Sequence, residues 1–264
     1  MYWLFSDFDG TFRNGPDKTV LEKDLNWIMN FQKQGNNVII ATGRNYNSIS
    51  EYLSKELNFY PNYFVTNTGA VVTDGKGKVL YSKNMGNEEK LLLIDFLKEI
   101  EQELKAVNYA TVKDEQFLFI QDMTEEQQKM FMNLEDINEP LSFLINKDIL
   151  CFKLLCSKQT WAKVIKFIKS NNLKVETVVN NLKDFYVCEI HGENVNKATG
   201  IKALQKILNF NNDHVLVVGD DSNDVPMLKE YSKSFIVNQP YNEEIRKHAN
   251  FKIDYLFEIE KHLD

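Results

Sequence analysis

The chain has 264 residues, of which 43% are hydrophobic and 26% charged, enough to bury a large core and to carry one domain plus an insert. Its 31 basic and 38 acidic residues leave a formal charge of −7, which argues against non-specific binding of nucleic acid or an anionic membrane. No apolar run approaches the ~18 residues of a membrane span, and no basic n-region precedes the first apolar run, so a cytoplasmic location is expected.

In chain order, Tyr2-Trp3-Leu4-Phe5 is a short apolar run that predicts a buried strand. It leads into Asp7-Phe8-Asp9-Gly10-Thr11, where the glycine breaks the strand and two carboxylates are carried to its tip. Gly15 and Pro16 mark a loop. Leu21, Leu25, Ile28 and Phe31 then predict a helix over 20–34, capped by Thr19 or a neighbour. Asn37–Ala41 reads as a second buried strand running into Thr42-Gly43-Arg44, and a helix follows over Tyr46–Leu57. Tyr63–Val65 is a third strand. This β-α-β-α-β grammar is that of a parallel sheet with crossover helices. Val71–Thr73 and Lys78–Tyr81 flank Asp74-Gly75-Lys76-Gly77 as a hairpin.

The texture then changes. A long amphipathic helix is expected over 88–105, strands over 107–112 and 117–121, and a short helix capped by Thr124 and reaching Asn133. A strand over 149–156, a helix over 159–170 and strands over 174–179 and 185–190 complete an α+β pattern. Asn196 is a suitable N-cap for a helix through Leu208. The strand 214–218 ends in Gly219-Asp220-Asp221-Ser222-Asn223-Asp224. A helix over 225–229, a strand over 234–237, a helix over 242–248 and a last helix from Tyr255 are expected. The three cysteines, Cys151, Cys156 and Cys188, read as core thiols of a reducing compartment, since they are odd in number and sit in apolar runs.

Four stretches at strand ends or helix starts suit phosphate chemistry. They are Asp7/Asp9, Thr42-Gly43, Lys197 at a helix N-terminus, and Asp220 with Asn223 and Asp224. A carboxylate can attack phosphorus to give an acyl phosphate. Because carboxylate and phosphate repel, the reaction needs a cation, and Mg²⁺ is the hard, oxygen-seeking choice. Each stretch alone is weak, and their order and spacing together are not. No P-loop, GxSxG, HExxH or GxGxxG motif is present, which removes the main support for kinase, serine hydrolase, zinc protease and dinucleotide chemistry.

In these residues the chain resembles the haloacid dehalogenase (HAD) superfamily, with Asp7–Thr11 similar to its first motif, Thr42 to the second, Lys197 to the third and Gly219-Asp220-x-x-Asn223-Asp224 to the fourth. The insert between the second and third motifs resembles the α/β type-two, B-subtype cap of the Cof-type phosphatases. The resemblance implies a Rossmann-like, doubly wound α/β core over 1–83 and 187–264, interrupted by an α+β cap over 84–186 that chooses the substrate. It implies Asp7 as nucleophile and Asp9 as acid and base. Asp7, Asp9 (through its backbone carbonyl), Asp220 and Asp224 would hold Mg²⁺, while Thr42, Gly43, Lys197 and Asn223 would hold phosphoryl oxygens and Arg44 would orient this shell or form a surface ion pair. The activity implied is hydrolysis of a small phosphorylated metabolite such as a sugar phosphate. A phosphomutase and a metabolite-binding protein without turnover are the alternatives. A monomer is favoured over an oligomer. Two departures stand out: Thr68 where relatives commonly have Asn, and Phe12 where Leu is usual.

Overall fold

The computed structural model describes residues 1–15, 17–129, 131, 134–182 and 185–263. The chain divides into two compact units, Met1–Ser82 with Asn196–Asp264, and Lys83–Val195.

The first unit is built on an eight-stranded sheet. Its strands are β1 (Trp3–Ser6), β2 (Asn37–Ala41), β3 (Tyr63–Thr66), β4 (Val71–Asp74) and β5 (Val79–Ser82) from the first segment. The second segment supplies β11 (Val215–Gly219), β12 (Lys233–Val237) and β13 (Phe251–Ile253), with β6 to β10 lying in the other unit. The order is β13-β12-β11-β1-β2-β3-β4-β5. All pairs from β13 to β3 are parallel, and β4 and β5 continue the sheet antiparallel. The central strands β1, β2 and β11 read as near-unbroken apolar runs because both faces are covered. Leu4, Val38, Ile40, Leu216 and Val218 face one cluster with Trp27, Ile28 and Phe31 of α1 (Lys18–Lys33) and Ile49 and Leu53 of α2 (Tyr46–Leu57). Trp3, Phe5, Ile39, Val215 and Val217 face the other. That cluster includes Ala198, Ile201 and Leu204 of α6 (Lys197–Leu208) and Met227 and Leu228 of α7 (Val225–Glu230).

The second unit holds a five-stranded antiparallel sheet in the order β7-β6-β8-β10-β9. Its strands are β6 (Leu104–Ala110), β7 (Glu115–Ile120), β8 (Cys151–Cys156), β9 (Val175–Leu182) and β10 (Phe185–Gly192). Leu93, Ile94 and Leu97 of α3 (Asn87–Glu99) pack on it together with Trp161, Val164 and Ile168 of α5 (Lys158–Ser170). Residue 187, the expected return to the core, falls inside β10. The strand's partners β8 and β9 hold it in the second unit, which runs to Val195. All three cysteines are buried and unbridged. No helix among the described residues is long and apolar enough to cross a membrane.

Several expected elements differ from those observed. The helix over 88–105 stops at Glu99, and a 3-10 turn at Glu101–Glu103 leads into β6. There Leu104 pairs with Cys156 and Val107 with Leu154, so sheet pairing overrides the helical preference of a Glu-, Leu- and Lys-rich stretch. Thr124 caps the short helix α4 (Glu125–Lys129) reciprocally with Gln127, and the expected end at Asn133 lies outside the described residues. No regular helix forms over 242–248, where only Arg246–His248 makes a 3-10 turn. Asn242 is taken up by a loop instead, its amide donating to Asp220 O and Val237 O. The last segment is a 3-10 helix over Leu256–His262, and β13 was not foreseen.

Asp24 ties α1 to this last segment. It is fully buried, its Oδ1 accepts the Phe257 N–H at 2.9 Å, and its Oδ2 has no partner. Burial lifts its pKa from 3.8 to about 6, against the opposing effect of the Phe257 and Leu256 backbone donors. A carboxyl raised in the folded state contributes stability below the unfolded pKa and loses it as pH rises through the folded one. Asp24→Asn therefore gains on the wild type between pH 4 and pH 7, by roughly 3 kcal/mol from a two-unit shift. Urea unfolding of both proteins across that range measures the difference.

Candidate active site

The sheet order reverses direction at β1, since the chain winds one way through β2 and β3 and the other through β11, β12 and β13. In open α/β sheets the crevice outside the strand ends at such a point is where ligands bind. Asp7 follows β1, Thr42 follows β2 and Asp220 follows β11, so three functional candidates leave the same edge of the sheet on adjacent strands. The Asp7 N–H donates to Val218 O at 2.9 Å, which extends the β1–β11 ladder by one residue and fixes Asp7 beside the fourth motif.

Lys197 is the first residue of α6, whose N-cap Asn196 accepts from the Thr199 N–H while Thr199 Oγ1 accepts in return. This closed cap aims the lysine inward. Its side chain is fully buried, and its Nζ donates to Asp7 Oδ1 at 2.7 Å and to Asp224 Oδ1 at 2.6 Å. Asp224 Oδ2 accepts the backbone N–H groups of Asp220 and Asp221 at 2.9 and 3.1 Å. Carboxylate oxygens of Asp7, Asp220 and Asp224 all lie within 4.8 Å of one another, and all three residues are buried. Gly69, at φ +101, lets the turn after β3 close onto the Asn196 carbonyl, where a Cβ would collide.

Electrostatics follow from this crowding. Burial raises the Asp7 pKa well above its ordinary value, and Asp224 and Asp220 add to the rise while Lys197 opposes it. Asp220 rises to about 6, chiefly by burial and then by Asp224, although O–H donors hold its charged form. Those donors are Thr11 Oγ1 and the Tyr241 hydroxyl, each 2.5 Å from an Asp220 oxygen. Burial disfavours the Lys197 ammonium, but Asp224 and Asp7 more than offset it and its pKa rises. Gly10, at φ +86, sits where any Cβ would meet the Asp220 carboxylate and the Tyr241 hydroxyl, so this position requires glycine.

Asp9 is placed differently. Its carboxylate is outside the buried trio and pairs with two arginines, Arg44 through Nε and Nη2 at 2.7 and 2.8 Å and Arg13 through Nη2 at 2.5 Å. Thr42 is buried, its Oγ1 accepts the Arg44 N–H at 3.2 Å, and its backbone pairs with Val65 and Thr68. The Asn223 Oδ1 is buried without a partner. Thr68 adopts φ 58, ψ 25, a left-handed conformation rare for a β-branched residue and well suited to Asn. Phe12 is fully buried with edge contacts to Phe8 and Phe59. His191 is fully buried in the second unit, its Nε2 2.7 Å from Glu189 Oε2.

Sequence reasoning missed Tyr241, Gln239 and Arg13. Gln239 Nε2 donates to the Gly10 carbonyl at 2.6 Å and to Asn14 Oδ1 at 2.7 Å. Tyr241 and Gln239 sit in a loop with no motif, more than two hundred residues from Gly10, and no local pattern signals the contact. Arg13 was visible only as one residue of a polar loop.

A family sequence profile for haloacid dehalogenase-like hydrolases matches residues 4–256. The chain belongs to this family. An uncharacterized protein of Mycoplasma capricolum is 41% identical over 261 residues, covering 97% of this chain and 98% of that one. The Bacillus subtilis 5-amino-6-(5-phospho-D-ribitylamino)uracil phosphatase YitU is 23% identical over 86% of this chain and 83% of its own. Among solved structures, a haloacid dehalogenase-like hydrolase from B. subtilis superposes with a TM-score of 0.80 at 16% identity, covering 100% of both chains. The HAD subclass IIB sugar phosphatase BT4131 superposes at 0.76 and 18% identity, covering 99% of this chain and 98% of that one. At these identities the two structures speak for the fold, which is the Rossmann-like α/β arrangement expected from the sequence.

Proposed function

We propose that the chain is a Mg²⁺-dependent phosphatase of small phosphorylated metabolites, with sugar phosphates as the substrate class, acting through an aspartyl phosphate on Asp7. The observation that carries the reading is the Lys197 ammonium held between Asp7 and Asp224 within a buried acidic trio, in a chain of this family. Similarity to proteins named as phosphatases supports it.

The charge balance of the site suits a divalent cation. Three buried carboxylates face one buried ammonium, which leaves two negative charges if all ionise, and burial first, then the neighbouring carboxylates, raise the Asp7 and Asp220 pKa values. Asp7 and Asp220 would hold the ion by carboxylate oxygens and Asp9 by its backbone carbonyl. Asp224, already engaged by Lys197 and two backbone donors, would act through water. Bound Mg²⁺ supplies charge neutralisation that lets an anionic nucleophile approach an anionic phosphoryl group.

Asp7 attacks phosphorus, the bond from phosphorus to the leaving oxygen breaks, and Asp9, which must enter this step as the carboxylic acid and so not as the carboxylate that Arg13 and Arg44 pair with, delivers its proton to that oxygen. Asp9 then takes a proton from water as the water oxygen attacks the phosphorus of the aspartyl phosphate, which returns Asp7 and frees phosphate. Lys197, Thr42, the Gly43 N–H and Asn223 hold the phosphoryl oxygens, because in this chemistry positioning and charge stabilisation supply most of the rate. Arg44 orients Asp9 through its paired contacts. The second unit governs which esters are accepted. The unbridged buried cysteines support a cytoplasmic location.

The test is phosphate release from p-nitrophenyl phosphate and a panel of sugar phosphates. Turnover is expected with Mg²⁺, falling at least about a hundredfold in chelator, with no need for a bisphosphate activator. An absolute need for a bisphosphate would favour a mutase, and no release from any ester with Mg²⁺ present would overturn the proposal.

A further inference from the structure

The carboxylate of Asp9 is outnumbered. Arg13 and Arg44 both pair with it, and neither forms another ion pair among the described residues, so one positive charge is left unmatched. Arg44 Nη1 is buried and has no hydrogen-bond partner. A buried guanidinium N–H without an acceptor is costly, and it marks a place where an oxygen anion would be welcome.

The arrangement is built rather than incidental. The turn after Asp9 folds back on itself, with the Gly10 N–H donating to Arg13 O at 3.1 Å and the Arg13 N–H to Phe8 O at 2.7 Å, which sets Arg13 beside Asp9. Both guanidinium carbons lie over the rings of Phe8 and Tyr52, Arg13 at 5.5 Å from each and Arg44 at 5.3 and 6.0 Å. Stacking of this kind fixes the planes of the guanidinium groups and leaves their edges for planar anions. Access to the group is through Arg13, whose side chain is 38% exposed, and Asp9 at 42%, with Arg44 deeper at 20%.

We propose that Arg13 and Arg44 form a second anion subsite, which takes a carboxylate or phosphate group carried by the leaving part of the ester. The inference rests on the phosphatase reading and extends it to a substrate class: phosphate esters bearing a second anionic group. Asp9 is the residue that hands a proton to the leaving oxygen, and Arg13 Nη2 is 2.5 Å from Asp9 Oδ1. The second anion therefore belongs within a few bonds of the ester oxygen, as in a two-carbon ester. A guanidinium pair receives carboxylate and phosphate alike by parallel N–H···O bonds.

Binding and turnover are read separately. In the Asp7→Asn variant with Mg²⁺, calorimetry compares three two-carbon esters: 2-phosphoglycolate, ethanediol bisphosphate and the neutral 2-hydroxyethyl phosphate. At least one of the two anionic-tail ligands is expected to bind tenfold or more tightly than the neutral one, and the larger preference identifies carboxylate or phosphate as the group received. Adding Arg13→Met is expected to bring the preference below threefold, with Arg44→Met as a second variant in the same background. Equal binding of all three esters, or a preference that survives both arginine changes, would overturn the subsite. Hydrolysis of 2-hydroxyethyl phosphate by the wild type tests the phosphatase reading on its own, because that ester makes no use of the subsite.

Discussion

Asp7→Asn lowers phosphate release at least about a thousandfold, while the metal-free variant unfolds at a higher temperature than the wild type. The first effect follows from the chemistry assigned to Asp7. An amide is a poor nucleophile toward phosphorus, and residues that act as a unit lose most of the rate when the attacking group alone is removed. The second effect follows from the surroundings. Asp7 is buried with Asp220 and Asp224 around one ammonium, and its pKa is raised by burial and by those carboxylates, so the site favours an uncharged side chain there. Asparagine is close in shape, keeps an oxygen for Lys197, and removes one of the three like charges. Lys197 retains its 2.6 Å partner in Asp224. Stability held below its maximum at a functional cluster is a common trade-off, and releasing it by one charge is worth about 1 kcal/mol or more. Phosphate release and thermal unfolding in chelator measure the two halves. Near-normal turnover in this variant would remove Asp7 from the role of nucleophile, and an unfolding temperature below that of the wild type would remove the claim of stored repulsion.

The core was legible in the sequence where strands are covered on both faces. Val38–Ala41 and Val215–Val218 are continuous β-branched and aliphatic runs, and each is followed by a small or polar residue, Thr42 or Gly219, that does not extend the apolar pattern. The expected helix over Tyr46–Leu57 is observed with those bounds, because Asn45 caps it and the left-handed Asn58 ends it. Legibility failed where pairing outweighs local preference. Three residues, Phe251–Ile253, form a strand only because β12 offers them an edge, and the Glu-rich stretch after Glu99 turns into sheet because β8 does. The C-terminal segment looked helical for the same reason that 88–105 did, and Asp24 and the sheet edge took its backbone another way.

The acidic trio and Lys197 could be singled out because each lies at the end of a strand or the start of a helix, where topology rather than local sequence decides that they meet. Residues that complete the environment of Asp220 and Asp9 could not. Tyr241 reaches Asp220 from a loop, and Arg13 reaches Asp9 through a tight turn of five residues. Both contacts are made by side chains whose local pattern is that of any solvated loop. The role proposed for Thr42 rests on a buried hydroxyl at this edge of the sheet, and that of Asn223 on its place after β11 and its side-chain NH2, since the buried Oδ1 can only accept.

Lys197→Met destabilises the metal-free protein by about 3 kcal/mol and abolishes turnover, and the two losses respond differently to a second change. Methionine nearly matches the length of the lysine stem, so the substitution deletes the charge and leaves the packing. What remains is a set of three buried carboxylates with no cation among them. Removing one partner of a buried pair costs roughly 3–5 kcal/mol, and protonation of carboxyls whose pKa is already raised holds the cost to the lower end here. Asp7→Asn in the same chain removes one of the stranded charges, so the double variant is more stable than Lys197→Met alone, by more than Asp7→Asn adds to the wild type. The coupling is read from urea unfolding of the four proteins in chelator. Turnover does not recover in the double variant, because both the nucleophile and the ammonium that faces the phosphoryl group are gone. Additive stability changes would mean that Lys197 and Asp7 do not share one electrostatic site, and measurable turnover in Lys197→Met would mean that the phosphoryl oxygens are held without it.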